Sequence, residues 1–211
     1  SGENQFEFGL ASTSNIISFS VFEDSLVTEE LSESATQSAI YAQNRFRFED
    51  KLEFVPGIRL NYYDLTNEVF IEPRFNFFYR IFDRLKIKGA YGRYSQFVSR
   101  VLRKDVFASN PDFWVLSNGD NIPVLRSQHL IGGFNYQISR RWSFDVEMYK
   151  KWDRGVLEYI PPEGIFANTA PADFPRYFRG SGISKGIEFL LQKNGKSISG
   201  WVSYALSYSE N

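Results

Sequence analysis

Residues 51–84 read KLEFVPGIRLNYYDLTNEVFIEPRFNFFYRIFDR, and this stretch decides the fold. In its first part Leu52, Phe54, Pro56, Ile58, Leu60 and Tyr62 fall on one side, against Lys51, Glu53, Arg59 and Asn61. In its second part Val69, Ile71, Phe75, Phe77, Tyr79 and Ile81 oppose Glu72, Arg74, Asn76 and Arg80. Side chains that alternate in this way lie on opposite faces of a strand, so each part predicts a strand with one apolar and one charged face. The connection over 64–68 and the turn at Asp83-Arg84 make these strands antiparallel neighbours.

The alternation extends in both directions. Upstream, Ile40, Ala42, Phe46 and Phe48 oppose Tyr41, Gln43, Arg45, Arg47 and Glu49, and an opening strand is expected over 4–17. Downstream, Leu85, Ile87 and Tyr91 oppose Lys86, Lys88 and Tyr94, and Leu130, Phe134, Tyr136 and Ile138 oppose His129, Asn135 and Gln137. Trp142, Phe144, Val146 and Met148 then oppose Arg141, Asp145 and Glu147. The last pair sets Ile187, Phe189 and Leu191 against Glu188 and Gln192, turns at Asn194-Gly195, a strong hairpin signal, and resumes with Ile198, Val202, Tyr204 and Leu206. The reading is about nine strands, most of about 10–14 residues, the length a tilted strand needs to cross a bilayer. Short turns near Asp50, Asp83, Arg140 and Gly195 alternate with longer loops over 18–36, 64–68, 97–126 and 153–181. Transmembrane barrels have this asymmetry, with short periplasmic turns and longer extracellular loops.

Composition narrows the class. Hydrophobic residues are 43% and aromatics 18% of the chain, yet no long apolar run exists, which excludes membrane-spanning helices. A net charge of −1 excludes the basic excess of nucleic-acid binders, and the absence of cysteine excludes disulfides, thiolate metal sites and cysteine nucleophiles. The opening residues Ser1-Gly2-Glu3-Asn4 carry no secretion signal, and no linker divides 1–211, so one domain is expected. A soluble sandwich or lipocalin-like barrel also alternates. Strand length beyond the usual five or six residues favours the membrane. So does the crowding of Tyr62, Tyr63, Phe70, Tyr79, Phe82, Tyr91, Tyr94, Trp142, Tyr149, Trp152, Trp201 and Tyr208 at strand ends, as in interfacial girdles. The predicted class is all-β, an antiparallel up-and-down transmembrane β-barrel segment. An odd number of strands with opposed ends, and an end at Asn211 without a terminal aromatic, predict a piece of a longer barrel.

Several strings carry a family resemblance: YAQN at Tyr41–Asn44, KLEFVPGIRLNYYD at Lys51–Asp64 and EPRFNFFYRIFDRLKIKGAYGRYSQ at Glu72–Gln96. FDVEMYKKWDRGVLEY at Phe144–Tyr159 and GSGISKGIEFLLQKNGKSISGWVSYALSYS at Gly180–Ser209 continue it over nearly the whole chain. Their order and spacing resemble TonB-dependent outer-membrane receptors, particularly those of Bacteroidetes. The resemblance implies a 22-stranded barrel around an N-terminal plug. It also implies a place in the bacterial outer membrane and import of a scarce nutrient, whether siderophore, cobalamin, oligosaccharide or peptide. Energy would come through the TonB system, and the other partner would be outer-membrane lipid. The strings match no plug, TonB box or final strands, so 1–211 is expected to be a partial barrel domain. Alone, it is expected to self-associate through its edge strands.

Few residues suggest chemistry. His129 stands on a polar strand face without an evident serine partner, so an outer-membrane hydrolase ranks last, and no enzyme, cofactor or metal is expected. Glu23, Asp24, Glu29, Glu30 and Glu33 lack the spacing of a calcium loop, and Gly180, Gly182 and Gly186 lack the rest of a phosphate loop. Pro56 and Pro73, which cannot donate to a ladder, predict bulges or barrel-end positions. Arg45, Arg47, Arg59, Arg74, Lys86 and Lys88 project inward with Glu49, Glu53 and Glu72, and mutual pairing across strands is the simplest expectation. Ligand recognition is expected in the long loops, at Phe107, Phe113, Trp114 and Asn118 and at Arg176, Tyr177, Phe178 and Arg179. The alternative is a soluble all-β module whose aromatic loops hold carbohydrate or peptide.

Overall fold

The computed structural model describes residues 2–23, 26–101, 113–159, 177–195 and 197–210. The strands are β1 (Gly2–Glu23), β2 (Leu26–Phe48), β3 (Leu52–Tyr63), β4 (Glu68–Phe82), β5 (Leu85–Gln96), β6 (Val98–Val101), β7 (Phe113–Leu116), β8 (Leu125–Gln137), β9 (Trp142–Tyr159), β10 (Tyr177–Lys193) and β11 (Gly200–Glu210). Nine of them form one antiparallel sheet in the order β1-β2-β3-β4-β5-β8-β9-β10-β11. This is the up-and-down order that the alternation predicts. Strands β6 and β7 pair only with each other, as a ribbon inside the connection between β5 and β8.

The register carries each face across the sheet. Phe46, Phe54, Phe77, Gly89, Gly132, Met148, Ile187 and Leu206 stand in one apolar row. On this face Phe54 stacks at 4.7 Å on Phe46 and 5.9 Å on Phe48, and Phe189 stacks at 6.4 Å on Tyr204. Such aromatic pairs add about 0.5–1.5 kcal/mol each beyond the area they bury. Among the described residues no second layer covers the apolar face, where Ile71 is 61% and Met148 53% exposed. A soluble sandwich would bury that face against another sheet.

The opposite, polar face is concave. The ribbon packs Phe97 and Leu116 against Ala35, Tyr63 and Phe70 of β2–β4, with Ile17 of β1 beside them. Its other side buries Val101, Phe113, Val115 and Ile122 against Leu157 of β9 and Tyr177 of β10. In a flat sheet β2 and β9 would stand five strand spacings, about 24 Å, apart. A ribbon two strands wide touches both walls only if the sheet curls around it. The two edges, β1 and β11, do not pair with each other.

Three sequence expectations need correction. The region 18–36 is no loop: β1 and β2 run on as a hairpin that pairs to Glu23↔Leu26, and β3 accompanies β2 only from Gln37. Where β3 leaves β2, Thr36 N donates to Asp64 Oδ2 at 2.9 Å and closes the ladder. The loop over 153–181 is likewise shortened, since β9 reaches Tyr159 and β10 starts at Tyr177. Asn194-Gly195 does open the last hairpin, but Gly195 is outside the left-handed region and β11 starts only at Gly200, so this is not a two-residue turn.

Each proline interrupts one ladder. Pro56 stands in register opposite Phe75 without a bulge, but the pairing of β3 with β2 lapses beside it, between Gln43↔Gly57 and Phe46↔Phe54. At Pro73 pairing between β4 and β5 stops, beginning only at Arg74↔Gly92, as a missing N–H predicts. Beyond that point the Glu72 carboxylate reaches across and accepts the Ser95 backbone N–H at 2.7 Å.

Candidate functional site

The concave face is lined with charge, and the register explains which charges meet. Glu3, Arg47 and Glu53 are direct partners on β1, β2 and β3. Arg47 Nη1 lies 3.1 Å from Glu3 Oε2, and its Nη2 3.1 Å from Glu53 Oε2. Arg45 reaches Glu53 at 3.5 Å, and Arg74 lies 3.0 Å from the buried Glu72. Lys88 bridges Asp145 at 3.0 Å and Glu147 at 2.8 Å by passing over Gly133, its partner on β8. A Cβ on Gly133 would stand 3.2 Å from Lys88 Cε and closer still to the Val146 carbonyl, so only glycine leaves the passage open. The expected mutual pairing therefore holds for these residues. Arg59 departs from it, donating from Nε to Asn61 Oδ1 at 2.8 Å with its guanidinium 6.0 Å from the Tyr41 ring centroid. Among the described residues Lys86 and Glu49 make no ion pair: Lys86 stands between Arg80 and Asn135, and Glu49 lies in the turn after β2.

Nearer the long-loop end, a polar chain crosses four strands. Arg74 sits 4.9 Å from the Tyr94 ring centroid, and Tyr94 packs at 4.9 Å on His129. His129 Nε2 is 2.8 Å from Ser127 Oγ, which donates to Asp153 Oδ1 at 2.6 Å, while Lys151 pairs with Asp153 at 3.1 Å. His129 thus has a serine partner that the sequence reading missed. The signal was the i, i+2 spacing, which puts both on one strand face. In a hydrolytic triad the histidine stands between serine and acid and takes the serine proton. Here the serine stands between histidine and acid and gives its proton to the acid, so nothing activates Ser127 as a nucleophile.

The remaining candidates separate. Phe113 is 8% exposed inside the ribbon core, where it holds the ribbon in place, whereas Trp114, on the alternate side, is 52% exposed. Asn118 accepts the Asp120 and Ile122 N–H groups at 3.0 Å each and so shapes the turn after β7. Tyr177 packs against the ribbon's second cluster, and Phe178 and Arg179 follow it, exposed, at the start of β10. Phe107, Arg176 and Asp24 of the acidic cluster lie outside the described residues. Among the described residues no group of three or more side chains suits a metal ion. Gly180, Gly182 and Gly186 lie within strand β10, and the Tyr149 ring covers Gly186.

The aromatic belt is narrower than the sequence suggests. Tyr63, Phe70, Tyr94, Tyr149 and Trp201 stand on the concave face, opposite Gln37, Asn61, Ser127, Gly186 and Gln192. Tyr62, Tyr79, Tyr91, Trp142, Trp152 and Tyr208 keep to the apolar face. A family model described as TonB dependent receptor-like, beta-barrel, matches residues 6–211.

The chain belongs to this TonB-dependent receptor β-barrel family.

Membership puts it in the bacterial outer membrane, among receptors rather than enzymes, with its apolar face toward lipid and its concave face toward the lumen. Among curated proteins, none matches it in sequence. Solved structures share the barrel fold. The siderophore receptor PirA from Pseudomonas aeruginosa superposes with a TM-score of 0.67 at 10% identity, over 97% of this chain and 43% of that one. The outer membrane transporter YddB from Escherichia coli gives 0.61 at 11%, over 99% and 31%. The RagAB peptide importer gives 0.58 at 13%, over 99% and 30%. At these identities the likeness concerns fold alone, and the TonB-dependent receptor barrel described here spans less than half the length of each.

Proposed function

We propose that this barrel region belongs to a receptor that captures a scarce nutrient from outside the cell and imports it at the expense of energy relayed by the TonB system. The relatives' printed names point to siderophores, peptides and other cargoes, and oligosaccharide and cobalamin fit the family equally. In this reading the nine strands are part of a barrel of about 22 strands surrounding a plug. The whole chain 1–211 is then one partial barrel domain.

The observation that carries the reading is the ribbon. A charged barrel wall needs no inward-folded loop for its own stability, yet β6–β7 is buried on both walls and displays Trp114. Long structured loops of this kind are where ligands are held. Trp114 is the proposed contact, with Tyr177 beside the ribbon, and Phe107 and Arg176 are further proposed contacts by their place in the sequence alone. Phe113 and Asn118 set its shape. Most charges of the wall below pair with one another, Lys86, Glu49 and Arg59 excepted, and stacking and hydrogen bonding at the ribbon are the proposed basis of cargo selection.

The test is binding by the detergent-solubilised receptor of ferric siderophores, cobalamin, oligosaccharides and peptides, followed by tryptophan fluorescence. One class should bind, and Trp114→Ala should weaken it about 10–100-fold, the range of an interface hot spot, without moving the melting transition. Equal affinity of the variant would remove the ribbon from the site. Uptake of that cargo should stop when the inner-membrane potential is collapsed.

A further inference from the structure

On the lumenal wall Arg59 lacks the partner that its register offers. It stands directly opposite Glu72 of β4, the arrangement that gives Arg47 and Glu53 their ion pair. The Glu72 carboxylate is already engaged: Oε2 takes Arg74 at 3.0 Å, and Oε1 accepts the Ser95 N–H at 2.7 Å. Arg59 is left with a neutral acceptor, Asn61 Oδ1 at 2.8 Å, and among the described residues no carboxylate pairs with it. It is nevertheless held in place. Asn61 is 1% exposed, and its Oδ1 is fixed from another side by Gln37 Nε2 at 2.8 Å. With Nε committed in this way, both Nη groups of the guanidinium remain as donors.

The matching carboxylate without a cation is Glu7 of β1. It accepts Gln43 Nε2 at 2.8 Å, and among the described residues no cation pairs with it. Glu7, Gln43, Gly57 and Arg74 follow one another across β1–β4 in one register row, and Gly9, Tyr41, Arg59 and Glu72 form the next. Gly57 has no side chain, and a recess of about 260 Å³ lies over it, with Glu7, Tyr41, Gln43, Arg59 and Arg74 around it. Two strand spacings, about 10 Å, separate β1 from β3, so the negative and positive ends of the recess do not meet. A half-buried charge without a partner is costly, and a ligand that brings both complements removes the cost at both ends. The recess lies below the seat of the ribbon. Tyr63 and Phe70, which the ribbon covers, stand four residues from Arg59 and Arg74 toward the long-loop end.

We propose that this recess binds a short peptide by its two ends, the terminal carboxylate on the free Nη groups of Arg59 with Arg74 beside it, and the terminal ammonium on Glu7. A tripeptide spans about 10 Å at about 3.3 Å per residue, the distance between the two charged walls. Its middle lies over Gly57, where no side chain intervenes. The Tyr41 ring, with the Arg59 guanidinium 6.0 Å from its centroid, flanks the carboxylate end. A neutral oligosaccharide brings neither charge. The inference rests on the receptor reading above and narrows its cargo to peptides.

The experiment uses the full receptor in dodecyl maltoside micelles, titrated in a calorimeter with trialanine, trialanine amide and N-acetyl-trialanine. Trialanine should bind, and each blocked peptide should bind at least tenfold more weakly, the loss of one charge-assisted contact. Arg59→Gln should weaken trialanine about tenfold and leave trialanine amide unchanged, because the amide has no terminal charge to lose. Glu7→Gln should weaken trialanine by a similar factor and leave N-acetyl-trialanine unchanged. This crossed pattern separates charge recognition from a folding defect, which would weaken all three peptides alike. Equal binding of free and blocked peptides, or equal weakening of all three by Arg59→Gln, would overturn the proposal. So would absence of trialanine binding by a receptor that binds a ferric siderophore, cobalamin or an oligosaccharide, a result that leaves the receptor reading standing. A receptor that binds none of the four cargo classes would overturn both.

Discussion

Gly133 shows how much a single lumenal position decides. Its empty side lets Lys88 cross from β5 to the carboxylates of Asp145 and Glu147 on β9, past an intervening strand. Gly133→Leu would put a side chain into that path and against the Val146 carbonyl. Overpacking of this kind costs about 1–3 kcal/mol. Urea unfolding of the receptor in micelles should show a loss of that size, and an unchanged midpoint would mean that Lys88 has another route. Glu72 is the second such residue, since its buried carboxylate serves both Arg74 and the Ser95 N–H. Glu72→Leu leaves an amide without an acceptor, at about 1–3 kcal/mol. Hydrogen exchange at the Ser95 amide should accelerate, and retained protection there would refute the bridging role. Neither partnership is visible in the sequence. Alternation tells which residues face inward, but only register tells that Gly133 separates Lys88 from Glu147, or that Asp153 meets Ser127.

At the scale of elements, the sequence was most legible where one face is apolar and the other charged. The segments around Phe46, Phe54, Phe77 and Met148 announce their strands because lipid on one side and charge on the other enforce a period of two. Legibility ended where polar residues dominate, as in β2 from Ser32 to Thr36. It ended too where strands are only four residues long, as in β6 and β7. The ribbon's place in the lumen depends on distant contacts. Phe97 stacks on Tyr63 at 4.4 Å and meets Phe70 edge-on at 5.0 Å, anchoring one end of the ribbon to β3 and β4. Phe97→Ala removes both contacts and should release the ribbon from the wall without unfolding the sheet, whose ladders do not involve it. Limited trypsin digestion should then cut after Arg100 at least tenfold faster, while the melting transition of the barrel moves little. Unaltered cleavage would show that the cluster around Phe113 holds the ribbon by itself.

The whole molecule is a curled nine-stranded sheet around a two-stranded ribbon, and its stability depends on what lies outside it. Among the described residues the large apolar side chains of the outer face are exposed, the buried ones lie mostly under the ribbon, and the edges β1 and β11 pair with no further strand. Lipid is then the missing apolar phase for the outer wall, a claim that depth-resolved substitutions can decide. Met148 faces outward within about one residue of the midpoint between Trp142 and Trp152, at the centre of the bilayer for a rise of about 3.3 Å per residue and a tilt of about 40°. A lysine there cannot reach either interface as Lys150 reaches Trp152. Met148→Lys should cost about 2–4 kcal/mol of equilibrium unfolding free energy in phospholipid vesicles. Ser203, on the lumenal face of β11 and equally exposed to whatever fills the lumen, is the matched control, and Ser203→Lys should stay within about 0.5 kcal/mol of the parent. Both sites are exposed, so the difference between them reports the medium each face meets. If both lysines were tolerated alike, the face bearing Ile71, Met148 and Leu206 would be in contact with water or protein, and the assignment of outside and inside would have to be exchanged.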